Sequence, residues 1–158
     1  MLPHDLIVTA KHLANGASGK PRQSHLRRAV STAYYALFHA MARSCADLLI
    51  GSSGADKSKP AWNQVYRALD HGFAKQACLN QKVIVKFPQE IQNFANAFAK
   101  MQVKRHDADY NPDGAFFKSD VLADIAVVEV VLSDFDSTPI KDRTRFRGLG
   151  PLEAPNLT

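Results

Sequence analysis

The segment between Pro21 and Gly51 constrains the fold more than any other part of the chain. At about 100° per residue, its apolar side chains gather on one broad face of a single long helix. That face contains Leu26, Val30, Tyr34, Leu37, Phe38, Met41, Cys45 and Leu48. An adjacent polar and basic stripe contains Arg28, Thr32, Tyr35, His39 and Arg43. A helix with so wide an apolar face is expected at the centre of a helical bundle.

Prolines and glycines divide the rest of the chain into further helical patterns, because proline fits a first helical turn and glycine often follows a last one. Besides the central helix, they predict helices from Pro3 to about Asn15, from Pro60 to about Ala68, from Pro88 to Tyr110, and from about Phe116 to Phe135. Whether the third continues past Gly72 is left open. Period-two alternation is not sustained, although "KVIVKF" (Lys82 to Phe87) is a candidate for a short extended piece. The prediction is an all-α, up-and-down bundle of about five helices.

The size and composition of the chain predict one globular domain with a short tail. It has 158 residues, of which 46% are apolar, enough for a substantial core. We expect a helical domain over residues 1–136 and a basic, flexible tail over residues 137–158. Four cationic residues and one phenylalanine in that tail could contact RNA, and a merely solvated tail is the alternative: Lys141, Arg143, Arg145, Phe146 and Arg147. The net charge of +5 permits a phosphate-bearing partner without requiring one.

Two further observations bear on location and cofactors. Charged residues near Met1 interrupt any secretory signal, and Asp124 and Glu129 interrupt the most apolar late segment, so a cytoplasmic protein without membrane contact is expected. Cys45 and Cys78 have neither a C-x-x-C partner nor a histidine at metal-ligand spacing. The sequence therefore predicts no metal and no cofactor.

The end of the fourth predicted helix, "KRHDADYNP", carries a cluster of titratable residues. Arg105 and Asp109 continue its buried apolar stripe, where charges are costly unless they pair with each other. His106 and Tyr110 form a second pair at i, i+4, rotated by about 100° around the helix. Asp107 points to the opposite side and is expected to be solvated.

At this point two stretches resemble a known family. "LRRAVSTAYYALFHAMA" (Leu26 to Ala42) resembles the signature helix of HEPN-domain proteins, approximately R-x-A-x-S-R-A-Y-Y-A-x-F-H. Thr32 departs from that signature, since an arginine is usual there. "RHDADY" (Arg105 to Tyr110) matches a second signature, R-x-x-A-D-Y, found in one large branch of the family. The resemblance covers roughly residues 3–136. The matching residues of the first signature are Arg27, Ala29, Ser31, Ala33, Tyr34, Tyr35, Ala36, Phe38 and His39.

The resemblance implies an up-and-down helical bundle, commonly a homodimer. Many members are metal-independent endoribonucleases in toxin–antitoxin, CRISPR or phage-defence settings, and some pair with a minimal nucleotidyltransferase acting as antitoxin. Their usual catalytic motif is an arginine, four to six residues, and a histidine. The positions after Arg105 where that histidine would stand run from Asp109 to Pro112 and contain none. Arg67 and His71 have only three residues between them and miss the spacing too.

These observations yield two groups of candidate residues. The catalytic candidates are Arg105, to stabilise charge on a phosphate, with His106 or Asp109. His106 and His39 have intrinsic pKa values suited to a base, whereas free Asp and Tyr do not. The candidates for RNA or partner binding are Arg27, Arg28, Tyr35, His39 and Tyr110.

Structural roles are the alternative for the same residues. Arg105 and Asp109 could simply join helices, with Arg27 as a third member, and His39 could be a packed histidine capped by a tyrosine or by backbone. Tyr34 and Tyr35 could serve only in packing. Two functional hypotheses follow: an RNA-interacting endoribonuclease of toxin–antitoxin or defence type, or a non-catalytic helical module that binds RNA, nucleotide or a partner.

Overall fold

In the computed structural model, the described residues are 1–16, 19–51 and 58–138, and all regular structure among them is helical. This confirms the all-α class, while the predicted count of about five is too low. Seven helices are present among the described residues: α1 (Pro3–Asn15), α2 (Gln23–Ile50), α3 (Lys59–Ala68), α4 (His71–Leu79), α5 (Gln81–Ile84), α6 (Gln89–Tyr110) and α7 (Lys118–Ser137).

The extra helices lie between residues 69 and 88, where the sequence left two points open. The third predicted helix does not continue past Gly72, because Leu69 is extended (φ −67°, ψ 118°) and a new helix starts after Asp70. The Asp70 carboxylate caps that helix by accepting the N–H of Phe73 at 2.8 Å. The stretch "KVIVKF" is not extended either, since α5 and a turn closed by Phe87 N–H donating to the Ile84 carbonyl (3.1 Å) occupy it.

Helix α2 is the centre of the bundle and packs against α1, α3, α6 and α7. Its predicted apolar face is buried, except for Leu48, whose exposure of 39% contradicts the prediction. Leu48 and Leu49 lie in the last turn of α2, which the described neighbouring helices leave largely uncovered. Buried alanines give α2 close neighbours on several sides: Ala29, Ala33, Ala36, Ala40, Ala42 and Ala46.

Arg27, near the start of α2, fixes the connection between α6 and α7. Its guanidinium lies 5.2 Å from the centre of the Phe116 ring. Gln23 adds two bonds to the backbone of Phe116, donating to its carbonyl at 2.7 Å and accepting its N–H at 2.9 Å. The guanidinium also donates to four backbone carbonyls at and beyond the end of α6: Ala108 (3.0 Å), Asn111 (2.6 Å), Pro112 (3.4 Å) and Gly114.

None of the described helices is both long and apolar enough to cross a bilayer. Apart from Ser137 and Thr138, the predicted basic tail lies outside the described residues, as does most of the predicted loop between Ile50 and Lys59.

We predict that Arg27→Met lowers the free energy of unfolding by about 2–3 kcal/mol, because it leaves carbonyls at the end of α6 without their charged donor. Arg28→Met is the matched control, since Arg28 is exposed and its side chain forms no hydrogen bond or ion pair with a described residue. It should change stability by no more than about 0.5 kcal/mol. Urea unfolding of the three proteins measures both effects, and equal losses in the two variants would contradict the role of Arg27.

Candidate functional site

Arg105 lies in the second-last turn of α6 and is enclosed by side chains of α2. Its Nη1 is 3.5 Å from the Asp109 Oδ2, which confirms the predicted pair, and the two side chains are only 15% and 25% exposed. The guanidinium carbon lies 5.2 Å from the centre of the Tyr34 ring and 6.0 Å from that of Tyr35. Both distances are within the range of a cation–π interaction.

Most of the hydrogen-bonding capacity of Arg105 is unused. Its Nε is buried and has no hydrogen-bond partner among the described residues, and the Asp109 contact is long. Asp109 is held from the other side by the buried Ser31, whose hydroxyl donates to the carboxylate at 3.0 and 3.1 Å. Arg27 does not join the pair, because its guanidinium is bonded to backbone carbonyls. The result is an arginine held in place whose Nη2 forms no hydrogen bond with a described residue, as an anion-binding guanidinium requires.

His71, the first residue of α4, is linked to this arginine by Tyr34, which contacts both residues. The Tyr34 hydroxyl lies 2.5 Å from His71 Nδ1, and the imidazole stacks on Phe38 with the ring centres 3.8 Å apart. Gln102 of α6 donates to the His71 carbonyl at 3.1 Å, which fixes the start of α4 against α6. Tyr34 thus contacts His71 through its hydroxyl and Arg105 through its ring.

The electrostatic surroundings keep His71 neutral. Burial lowers the pKa of His71, and the positive charge of Arg105 lowers it further, against a smaller opposite effect of Asp70. Burial also raises the pKa of the Tyr34 hydroxyl, which therefore stays protonated. When that hydroxyl accepts from the Nδ1–H of His71, the lone pair of the imidazole is on Nε2. Nε2 has no hydrogen-bond partner among the described residues, so it can serve as a base.

Sequence reasoning did not identify His71 as a site residue, because His71 is close in the sequence to Arg67 and far from Arg105. The break after Ala68 separates α3 from α4, and only the packing of α4 on α6 brings His71 towards Arg105. The one local signal is Asp70, an N-cap residue type that places the following histidine in a first helical turn.

His39 forms part of a different cluster, with α3. Its Nδ1 is hydrogen-bonded to the Tyr66 hydroxyl, and the two rings stack with centres 5.5 Å apart, so the interpretation as a histidine capped by a tyrosine is confirmed. Burial lowers the pKa of His39. The Tyr35 ring lies 6.0 Å from both His39 and His71 and connects the two clusters.

The remaining candidates lie apart from Arg105. His106 and Tyr110 are exposed and face each other with ring centres 4.9 Å apart. Within the described ranges, neither side chain forms a hydrogen bond or ion pair with Arg105 or Asp109, and Arg28 is exposed. Asp107 is not simply solvated as predicted: it is half-buried and accepts a hydrogen bond from Asn111 Nδ2 at 2.7 Å, because the chain turns back at the end of α6.

No metal-binding cluster is present in the described ranges, where no three histidine, cysteine, aspartate or glutamate side chains come together. The chain matches no protein-family model, no curated protein and no solved structure. The HEPN resemblance therefore stays a prediction carried by the two sequence signatures.

We predict that the pKa of His71, followed by NMR titration of its imidazole, lies below 6.5 and rises in Arg105→Gln. The rise follows from removing a nearby positive charge that disfavours the imidazolium. His39 is the internal control, since Arg105 does not contribute to lowering its pKa. An unchanged His71 pKa in Arg105→Gln would show that the two groups are not electrostatically coupled.

Proposed function

We propose that this chain is a HEPN-like RNA-interacting protein, cytoplasmic and of toxin–antitoxin or defence type, with the up-and-down bundle that the resemblance implies. The observation that supports the proposal is the burial of Arg105 together with its incomplete hydrogen bonding. A guanidinium that is mostly buried, with an unpartnered Nε and one long ion pair, leaves costly unsatisfied donors. A phosphate oxygen of RNA would pair with Nη2, which forms no hydrogen bond with a described residue, and the planar guanidinium is well suited to phosphate.

His71 extends the proposal from binding to metal-independent cleavage. With a phosphate at Arg105, Nε2 of neutral His71 accepts the proton of the neighbouring ribose 2′-hydroxyl. The 2′-oxygen attacks phosphorus, the bond to the 5′-oxygen breaks, and that oxygen leaves with a proton from solvent. Arg105 stabilises the negative charge that develops on the phosphate oxygens. In the tautomer of His71 that carries its proton on Nδ1, the Tyr34 hydroxyl accepts that N–H and holds the imidazolium in place.

A non-catalytic binding module is the second candidate. The two contacts of Asp109 favour it. The carboxylate accepts a hydrogen bond from the Ser31 hydroxyl of α2 and pairs with Arg105 of α6. These contacts can serve only to join the two helices, with RNA or a nucleotide bound and released unchanged.

From the same resemblance, we also propose that the chain forms a homodimer and that a nucleotidyltransferase is its partner. Sedimentation of the purified chain at micromolar concentration tests the first, and co-expression with a nucleotidyltransferase encoded beside it tests the second.

We predict that the protein cleaves single-stranded or transfer RNA in the presence of EDTA. Arg105→Gln and His71→Gln should each lower the rate by about 10²-fold or more, the usual scale for loss of a charge-stabilising group or a general base. Arg22→Gln and His12→Gln are matched controls, because both residues are exposed and lie outside the site. All variants must show the circular dichroism and unfolding midpoint of a folded protein.

The outcomes separate the two candidates. Cleavage that both site variants abolish supports the endoribonuclease, whereas binding of RNA by the wild type without turnover supports the binding module. Cleavage that persists in His71→Gln contradicts His71 as the base.

We further predict that the cleavage rate falls as the pH is lowered through the pKa of His71, which lies below 6.5. The sign follows because protonated imidazole cannot accept the 2′-hydroxyl proton. Single-turnover rates measured between pH 5 and pH 8 test this, and a rate that rises on acidification would exclude His71 as a base.

A further inference from the structure

A cleft separate from Arg105 lies where α3 packs beside α2, and cations surround it. Its volume is about 340 Å³. The charged and polar side chains of its lining are Arg43 of α2 and Lys59, Asn63 and Arg67 of α3. None of the described lining residues is acidic. The cleft therefore concentrates positive charge in a concave surface, where the electric field of the protein is focused.

The sequence of α3 places its three polar lining residues on one side of the helix. Lys59, Asn63 and Arg67 follow each other at i, i+4 and i+8, so they form one stripe. At 1.5 Å per residue, this stripe is about 12 Å long. The ammonium of Lys59 lies 4.4 Å from the centre of the Trp62 ring, which holds it beside the cleft.

Two hydrogen bonds between α2 and α3 place Arg43 opposite this stripe. Asp47 Oδ1 accepts the Nε1–H of Trp62 at 2.8 Å, and His39 Nδ1 is hydrogen-bonded to the Tyr66 hydroxyl. Arg43 lies midway between His39 and Asp47, about one helical turn from each. Burial raises the pKa of the Tyr66 hydroxyl, and the nearby positive charge of Arg43 opposes that rise. Arg43 therefore faces the middle of the stripe.

The cations of the cleft have no counterion in the part of the chain that the structure describes. Arg43, Lys59 and Arg67 form no ion pair there. Arg43 and Asn63 are half-buried, and neither side chain has a hydrogen bond to a described residue. The carboxylate one turn after Arg43, that of Asp47, is bonded to an indole N–H instead. Water solvates the exposed Lys59 and Arg67, whereas a half-buried guanidinium without a counterion is costly.

We propose that this cleft binds a multiply charged, phosphate-bearing anion, whose oxygens accept hydrogen bonds from Arg43, Asn63 and Arg67. A guanidinium can donate two parallel hydrogen bonds to a phosphate group, and the amide of Asn63 adds a neutral donor. Lys59 contributes charge at one end of the stripe. Because the stripe is longer than one phosphate group, two linked or successive phosphates fit it better than one.

Two sources share this chemistry: a free diphosphate and the successive backbone phosphates of an RNA strand. The second source rests on the proposed function, because it makes the cleft an RNA subsite beside Arg105. Three rings separate the two places: Tyr66 lies 5.5 Å from His39, and His39 lies 6.0 Å from Tyr35. The Tyr35 ring is in turn 6.0 Å from the Arg105 guanidinium. The first source is independent of the proposed function.

Inorganic pyrophosphate and a 2′-O-methyl oligonucleotide are titrated separately by equilibrium dialysis at constant ionic strength. Wild type and Arg105→Gln serve as parents, and the second parent removes any binding at Arg105. We expect saturable binding of pyrophosphate or of the oligonucleotide in both parents. Arg43→Gln and Arg67→Gln should each weaken it about tenfold, as expected for loss of one charge-assisted hydrogen bond.

Arg22→Gln removes an exposed arginine outside the cleft, so this control should bind like its parent. Since Arg67 is exposed, Arg67→Gln keeps the test decisive where Arg43→Gln fails to fold. Pyrophosphate binding that either cleft variant weakens identifies a free-anion site, and the same dependence for the oligonucleotide alone identifies an RNA subsite; both support the proposal.

Absence of binding by both ligands, or equal affinities in both cleft variants and their parent, overturns the proposal. The pyrophosphate result does not depend on whether the wild type cleaves RNA. Failure of this proposal and failure of the proposed function are therefore distinguishable.

Discussion

The contact between Arg105 and the side chains of α2 organises the whole candidate site. Tyr34 and Tyr35 provide ring surfaces for the guanidinium, and Ser31 holds the Asp109 carboxylate that faces it. A cation in such a position loses solvation, and one ion pair at 3.5 Å compensates only part of that loss. In the proposed function, the costly arrangement of the unliganded protein is relieved when a phosphate pairs with the guanidinium.

Helix α2 contacts two histidine-containing clusters, one on α4 and one on α3. Tyr34 reaches His71 on α4, whereas His39, one turn further along, reaches Tyr66 on α3. Near the start of α2, Arg27 donates hydrogen bonds to carbonyls at the end of α6. These bonds hold the last turn of α6, which includes Asp109, against α2. The packing of α2 against its neighbours therefore sets the separation of the His71 cluster from the His39 cluster.

Local sequence patterns predicted what depends on a single helix. Pro3 and Gly16 bound α1 as expected, and the pairing of Arg105 with Asp109 followed from helical spacing on an apolar stripe. His71 could not be found that way, because its approach to Tyr34 depends on a break between helices and on how α4 packs against α6. Likewise, the cleft lined by Arg43 of α2 and by Trp62 and Tyr66 of α3 combines residues of two helices. No spacing within one helix encodes that.

In the proposed function, Arg105 binds an RNA phosphate through the donors it does not use within the protein. The most direct measurement is the NMR signal of the Arg105 Nε–H, assigned by its loss in Arg105→Lys, during titration with a 2′-O-methyl oligonucleotide that cannot be cleaved. We expect a saturable shift of this signal as the oligonucleotide binds. A signal that stays in place while the oligonucleotide binds elsewhere on the protein would contradict it.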